Sequence, residues 1–142
     1  MAEPACARGH AIGPHTADVV IEAWGPTAAA CYEEAAAAFV DIFVNSGHAA
    51  GGDSRAFDVG PGRPEDLLVL LLEELLFDVE TRGQVAVATR VEPRGDHLCG
   101  TFTFLPVEQL EVIGPLPKGV SYHDLEFGDA DRTWRCRATV DV

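Results

Sequence analysis

Between Pro64 and Gly83 the sequence crowds Leu67, Leu68, Leu70, Leu71, Leu72, Leu75, Leu76 and Phe77 into about three turns of a predicted helix. These residues cover more than one stripe of the helix surface, so this helix has to be buried on several sides and the rest of the chain has to supply layers around it. Pro64 suits the first helical turn, Glu65 and Asp66 suit its positive end, and Gly83 suits its exit. The polar residues Glu73, Glu74 and Asp78 are then expected to share a narrow face. The apolar stretch over residues 67–79 is too short to cross a bilayer and carries those three acids. A chain of 142 residues is most simply one domain with a single core, here residues 1–142, of which residues 1–13 are a loose N-terminus.

What surrounds the leucine-rich helix can be read from periodicity. Residues 17–24 alternate, with Ala17, Val19, Ile21 and Ala23 on one face and Asp18, Val20, Glu22 and Trp24 on the other, as in a half-covered strand. Gly25-Pro26 ends that strand, and Thr27 is placed to cap an amphipathic helix over residues 28–44, with Cys31, Ala35, Phe39 and Ile42 on its apolar face. A glycine-rich loop over residues 45–54 and a short strand over residues 55–59 lead into the second helix. From Gln84 onward the period is two. A hairpin turns at Pro93-Arg94-Gly95-Asp96, an extended piece spans residues 107–113, and a last hairpin joins residues 120–127 to 133–142 across Gly128-Asp129-Ala130-Asp131. This order predicts an α+β fold, two main helices packed on a mostly antiparallel or mixed β-sheet.

Charge narrows the function. Lys+Arg 10 against Asp+Glu 23 gives a net charge of −13. Such a chain repels phosphate backbones, so action on nucleic acid would go through a basic partner or a bound cation; the alternative is that the acid serves solubility. Cys6, Cys31, Cys99 and Cys136 stand at long spacings without a C-x-x-C, which favours buried free thiols and a reducing, cytoplasmic setting. Residues 1–13 lack the basic start and apolar run of a signal peptide. No G-x-S-x-G, G-x-x-x-x-G-K-[ST] or H-E-x-x-H occurs, so a self-contained enzyme finds no motif to rest on.

The strongest site signal is a pair of aspartates where strands disfavour them. Asp18 opens one apolar run and Asp141 closes another, Trp134-Arg135-Cys136-Arg137-Ala138-Thr139-Val140-Asp141-Val142. If the two strands are neighbours, Asp18, Asp141 and the carboxylate of Val142 converge as hard oxygen donors for Ca²⁺ or Mg²⁺. His15 and His123 are further candidates, although a lone histidine near a strand end is more often structural or simply exposed. Glu74, beside Glu73, could act as a functional acid, but a solvated helix face explains both residues as well or better.

Five short runs stand in order along nearly the whole chain from His15: His15-Thr16-Ala17-Asp18-Val19; Gly25-Pro26-Thr27 at a helix start; Glu74-Leu75-Leu76-Phe77; Val120-Ser121-Tyr122-His123 after Lys118; and Trp134 leading to Val140-Asp141-Val142. Together they resemble the archease family. The resemblance implies a non-catalytic activator of the GTP-dependent, RtcB-type RNA-splicing ligase, which promotes guanylylation and repeated turnover in tRNA splicing or RNA repair and meets RNA only through the ligase. It further implies a divalent cation, usually Ca²⁺, with Mg²⁺ or Mn²⁺ as alternatives, on Asp18, Asp141 and Val142. Lys118 and His123 are the next functional candidates. Pro14 stands where the family often has an acidic residue, which removes one carboxylate from that neighbourhood. A chaperone-like modulator of RNA methyltransferases is the alternative reading that the family resemblance carries.

Overall fold

The computed structural model describes residues 7–13, 18–47 and 49–142. The leucine-rich stretch forms α2 (Pro64–Arg82), entered through Pro64 and left through Gly83 in the left-handed conformation with φ of 62°. The other helix, α1 (Ala28–Asp41), starts where the Thr27 hydroxyl accepts a hydrogen bond from the Ala30 N–H at 3.0 Å. The strands are β1 (Gly9–Ile12), β2 (Asp18–Gly25), β3 (Val44–Asn45), β4 (Asp53–Val59), β5 (Gln84–Arg94), β6 (His97–Pro106), β7 (Glu111–Val112), β8 (Gly119–Ala130) and β9 (Thr133–Asp141). They build a four-stranded sheet in the order β1-β2-β9-β8, a three-stranded sheet in the order β4-β6-β5 and the short pair β3-β7. Every pairing is antiparallel. Each helix packs against strands of both larger sheets, which places the leucine surface in the interior as its width demands. The fold is α+β, with two α-helices among the described residues, as the periodicity predicts.

One core holds the layers together. Cys31, Ala35, Phe39 and Ile42 of the first helical segment meet Leu68, Leu71, Leu72 and Leu75 of the second over Val19 and Ile21 of β2, and none of these ten is more than 2% exposed. Truncating Leu72→Ala is expected to cost about 2–5 kcal/mol in denaturant unfolding, because its removed atoms leave a cavity that rigid neighbours fill only in part. A loss below about 1 kcal/mol would show that the site collapses freely.

Two residues of α2 depart from the expected polarity. Asp78 does not share a solvated face with Glu73 and Glu74; it is 1% exposed and ion-paired with Arg55 of β4. Phe77, expected in the buried surface, is 55% exposed. Helical spacing explains both: Phe77 follows Glu74 and Glu73 by three and four residues on their outer face, and Asp78 follows Leu75 and Leu71 by three and seven on the buried one. Arg55 on the neighbouring strand makes the buried carboxylate tolerable.

Several boundaries also move. Residues 9–12 are not loose but form β1, paired with residues 21–24 of β2, and His10 fixes this strand to α1 through both ring nitrogens: Nδ1 lies 2.9 Å from Glu34 and Nε2 2.9 Å from Asp41. The bond to Asp41 raises the imidazole pKa against the opposing effect of burial, with Glu34 adding to the rise. Helix α1 ends at Asp41 rather than at Val44, because Val44 and Asn45 pair with Val112 and Glu111. Strand β4 starts at Asp53, inside the expected loop. Residues 107–113 divide into a 3-10 turn, Val107–Gln109, and β7. The last hairpin keeps Gly128 in β8 and turns at Asp131 and Arg132, whose φ angles are 51° and 63°. Aspartate tolerates that conformation better than most residues, which is how the turn forms without glycine. Cys31 and Cys136 are buried free thiols and Cys99 is partly exposed, while Cys6 lies outside the described residues.

Candidate functional site

Strands β2 and β9 pair along their whole length, from Gly25 opposite Trp134 to Asp18 opposite Asp141. Side chains alternate between the faces of a strand, so Val19, Ile21 and Ala23 with their partners Val140, Ala138 and Cys136 fill the core. The intervening residues form a row on the outer face. Glu22 and Arg137 in that row are ion-paired at 3.3 Å, and Asp18 and Asp141 end the row, both exposed. Directly opposite partners on one face stand close enough for their side chains to touch. The two carboxylates do so here: hydrogen bonding to Asp18 holds a proton on Asp141 to higher pH than an ordinary aspartate, with desolvation and the Asp18 charge acting in the same direction.

A third strand completes the setting. Gly119 of β8 faces Asp141 from the other side, and a Cβ built there would lie 3.8 Å from Asp141 Oδ2, so the strand leaves the carboxylate uncrowded. The Lys118 N–H donates to the Asp141 carbonyl oxygen at 2.7 Å. Val142, half-buried, follows directly.

Two carboxylates are donors of the kind that a hard divalent cation takes, though they make only part of a coordination shell. Two like charges held together by a rigid ladder repel, and a cation between them removes that cost while using the oxygens that Ca²⁺ and Mg²⁺ prefer. Among the described residues no group of three or more His, Cys, Asp or Glu side chains is gathered for a metal. The side chains placed here thus contribute two carboxylates, and further oxygens would have to come from main chain, the Val142 carboxylate or water.

The other candidates separate. Lys118 is exposed and reaches the acidic pair through its main chain. His123 belongs to an irregular part of β8 between Ser121 and Glu126; its Nε2 lies 3.2 Å from Asp124, and its carbonyl oxygen accepts from the Thr139 hydroxyl at 3.3 Å. Glu74 is on α2, half-buried in a groove against β4, apart from the strands that carry the aspartates. His15 lies outside the described residues. Sequence reasoning missed Gly119, whose only signal is its place just before the β-branched start of a strand.

Comparison with known proteins decides the family. Residues 11–142 match the profile of the archease protein family. The chain belongs to the archease family. A curated relative from Mycobacterium tuberculosis, named "probable protein archease", is 34% identical over 99% of this chain and 78% of its own length. A Methanosarcina acetivorans archease is 29% identical over 90% of this chain and 92% of its own. The archease fold is shared with the solution structure of Methanobacterium thermoautotrophicum protein 1598, at a TM-score of 0.77 and 24% identity over 94% of this chain and 99% of that one. A Thermotoga maritima archease, described as a possible chaperone, superposes with a TM-score of 0.61 at 18% identity over 100% and 98% of the two chains. No described helix of this archease is long and apolar enough to cross a membrane.

Proposed function

We propose that this archease holds one divalent cation on Asp18 and Asp141, with the Val142 carboxylate as a further ligand, and uses that acidic tip to activate an RtcB-type RNA ligase in the cytoplasm. The observation that supports this best is the pairing of Asp18 with Asp141 at the end of the β2–β9 ladder, which brings the two carboxylates together. A bound Ca²⁺ would offset phosphate charge in the nucleotide pocket of the partner during guanylylation. The protein itself contributes position: β2, β9 and β8 carry the two carboxylates at one end of the sheet, and Val19 and Val140, the neighbouring pair in the ladder, are buried in the core. A net charge of −13 favours encounter with a basic protein over direct contact with RNA, and no nucleophile motif argues for chemistry of its own.

Titration calorimetry with CaCl₂ tests the cation site. One Ca²⁺ is expected to bind, Asp18→Ala or Asp141→Ala to abolish binding, and one residue added after Val142 to weaken it. A proton on Asp141 competes with the cation, so affinity should rise as pH rises through its elevated pKa and fall below it. Equal binding by wild type and Asp141→Ala would remove the site from this reading. The description of the Thermotoga maritima protein as a possible chaperone supports the second reading, a chaperone-like modulator of RNA methyltransferases. That reading predicts rescue of a methyltransferase without dependence on Asp141.

A further inference from the structure

A groove of about 390 Å³ runs between α2 and the end of β4, away from the strands that carry Asp18 and Asp141. On the helix side it is lined by Leu70, Glu73, Glu74 and Phe77, which fall on one helical face. The apolar part of this face is unusual for α2. Phe77 is 55% exposed, whereas Leu67, Leu68, Leu71, Leu72, Leu75 and Leu76 are all buried. On the strand side stand Asp58, Val59 and Gly60.

Two further features say what the groove can receive. Strand β4 is an edge, bonded to β6 on one side only, and among the described residues no strand pairs with its other side. Main-chain donors and acceptors along such an edge can accept an additional extended segment. The lining charge has one sign. Asp58 is bonded by His97 at 2.7 Å, but Glu73 and Glu74 make no ion pair among the described residues, and the nearby Arg55 is engaged by the buried Asp78. An acidic rim around a half-exposed aromatic ring complements a basic segment with a large apolar anchor.

We infer that the α2–β4 groove is a second protein-docking site, which takes a basic, extended protein segment along the edge of β4 and seats a large apolar side chain against Phe77 and Leu70. Lysine or arginine of that segment meets Glu73 and Glu74. The site is independent of the acidic tip and remains if the cation proposal fails.

The full chain is titrated by amide NMR, at physiological salt, with a synthetic peptide of alternating lysine and leucine, with a lysine–serine peptide of equal charge as control. The lysine–leucine peptide is expected to shift amides centred on residues 58–60 and 70–77. Phe77→Ala should weaken it about tenfold, a usual effect of truncating a central aromatic anchor, while Phe77→Leu retains most of the affinity. Phe77 is largely exposed, so both variants should melt as wild type does. Shifts centred on Asp18 and Asp141 or spread over the whole acidic surface, equal affinity for the two peptides, or unchanged binding by Phe77→Ala would each overturn the inference.

Discussion

Arg55→Ala should lose about 3–5 kcal/mol of folding stability, more than any surface substitution in this chain. Arg55 Nη2 donates to Asp78 Oδ2, and its guanidinium lies over Phe102 and Phe104 at 5.8 Å and 5.4 Å from the ring centres. Asp78 is 1% exposed, and its other nearby cation, Arg82, is 3.9 Å away, beyond hydrogen-bond reach. Removing Arg55 would strand a charge in the core and take away the side chain that covers two aromatic rings. The pair itself is not worth that much. Asp78 Oδ1 and Arg55 Nε lack hydrogen-bond partners, so the pair is incompletely satisfied, and a double replacement by apolar residues such as Arg55→Met with Asp78→Leu should recover most of the loss. Urea unfolding of the single and double variants checks this. A loss below about 1 kcal/mol for Arg55→Ala would show that Asp78 reaches water or another partner once the arginine is gone.

The same pair marks the limit of what periodicity could reveal. Leu68, Leu71, Leu72 and Leu75 announce a buried helix because hydrophobic burial follows composition along a face. Asp78 stands three residues after Leu75 and seven after Leu71, on the same buried face. Polarity argues against that place, and nothing local names the partner that permits it, since Arg55 is on a strand 23 residues earlier in the chain. Strand β1 escaped notice for a similar reason. Gly9-His10-Ala11-Ile12 is short and barely alternating, and its stability comes from pairing with β2 and from the carboxylates of Glu34 and Asp41 on His10. By contrast the acidic pair was legible. An aspartate at the end of an apolar strand is costly enough to stand out, and two such strands pairing antiparallel bring opposite ends of the sequence into one register. The two histidines and Glu74 carried no comparable signal. His123 bonds to Asp124 in an irregular stretch and Glu74 faces the α2–β4 groove, placements that depend on tertiary packing.

The acidic tip carries the second large effect. A partner steered by long-range charge should associate more slowly as salt rises, because exposed charges are screened beyond about 8 Å at physiological ionic strength. The two aspartates lie on the outer face of the sheet, opposite the core, so replacing either should leave the fold intact. On the proposed function, stimulation of the ligase should be lost by the same replacement, because a cation site built on two carboxylates is weakened by the loss of either. Lys118, which contacts Asp141 through its main chain, and His123 are the next positions to vary; their side chains are exposed, so Lys118→Ala and His123→Ala should reduce stimulation without changing stability.

The most direct measurement follows guanylylation of a purified RtcB-type ligase by GTP, alone, with the wild-type chain, and with Asp141→Ala, each in the presence of Ca²⁺ or Mg²⁺. Faster guanylylation and multiple turnover with wild type only, with Asp141→Ala no better than ligase alone, is the predicted result. Equal rates in all three reactions would contradict the activator reading and leave the chaperone-like role in its place.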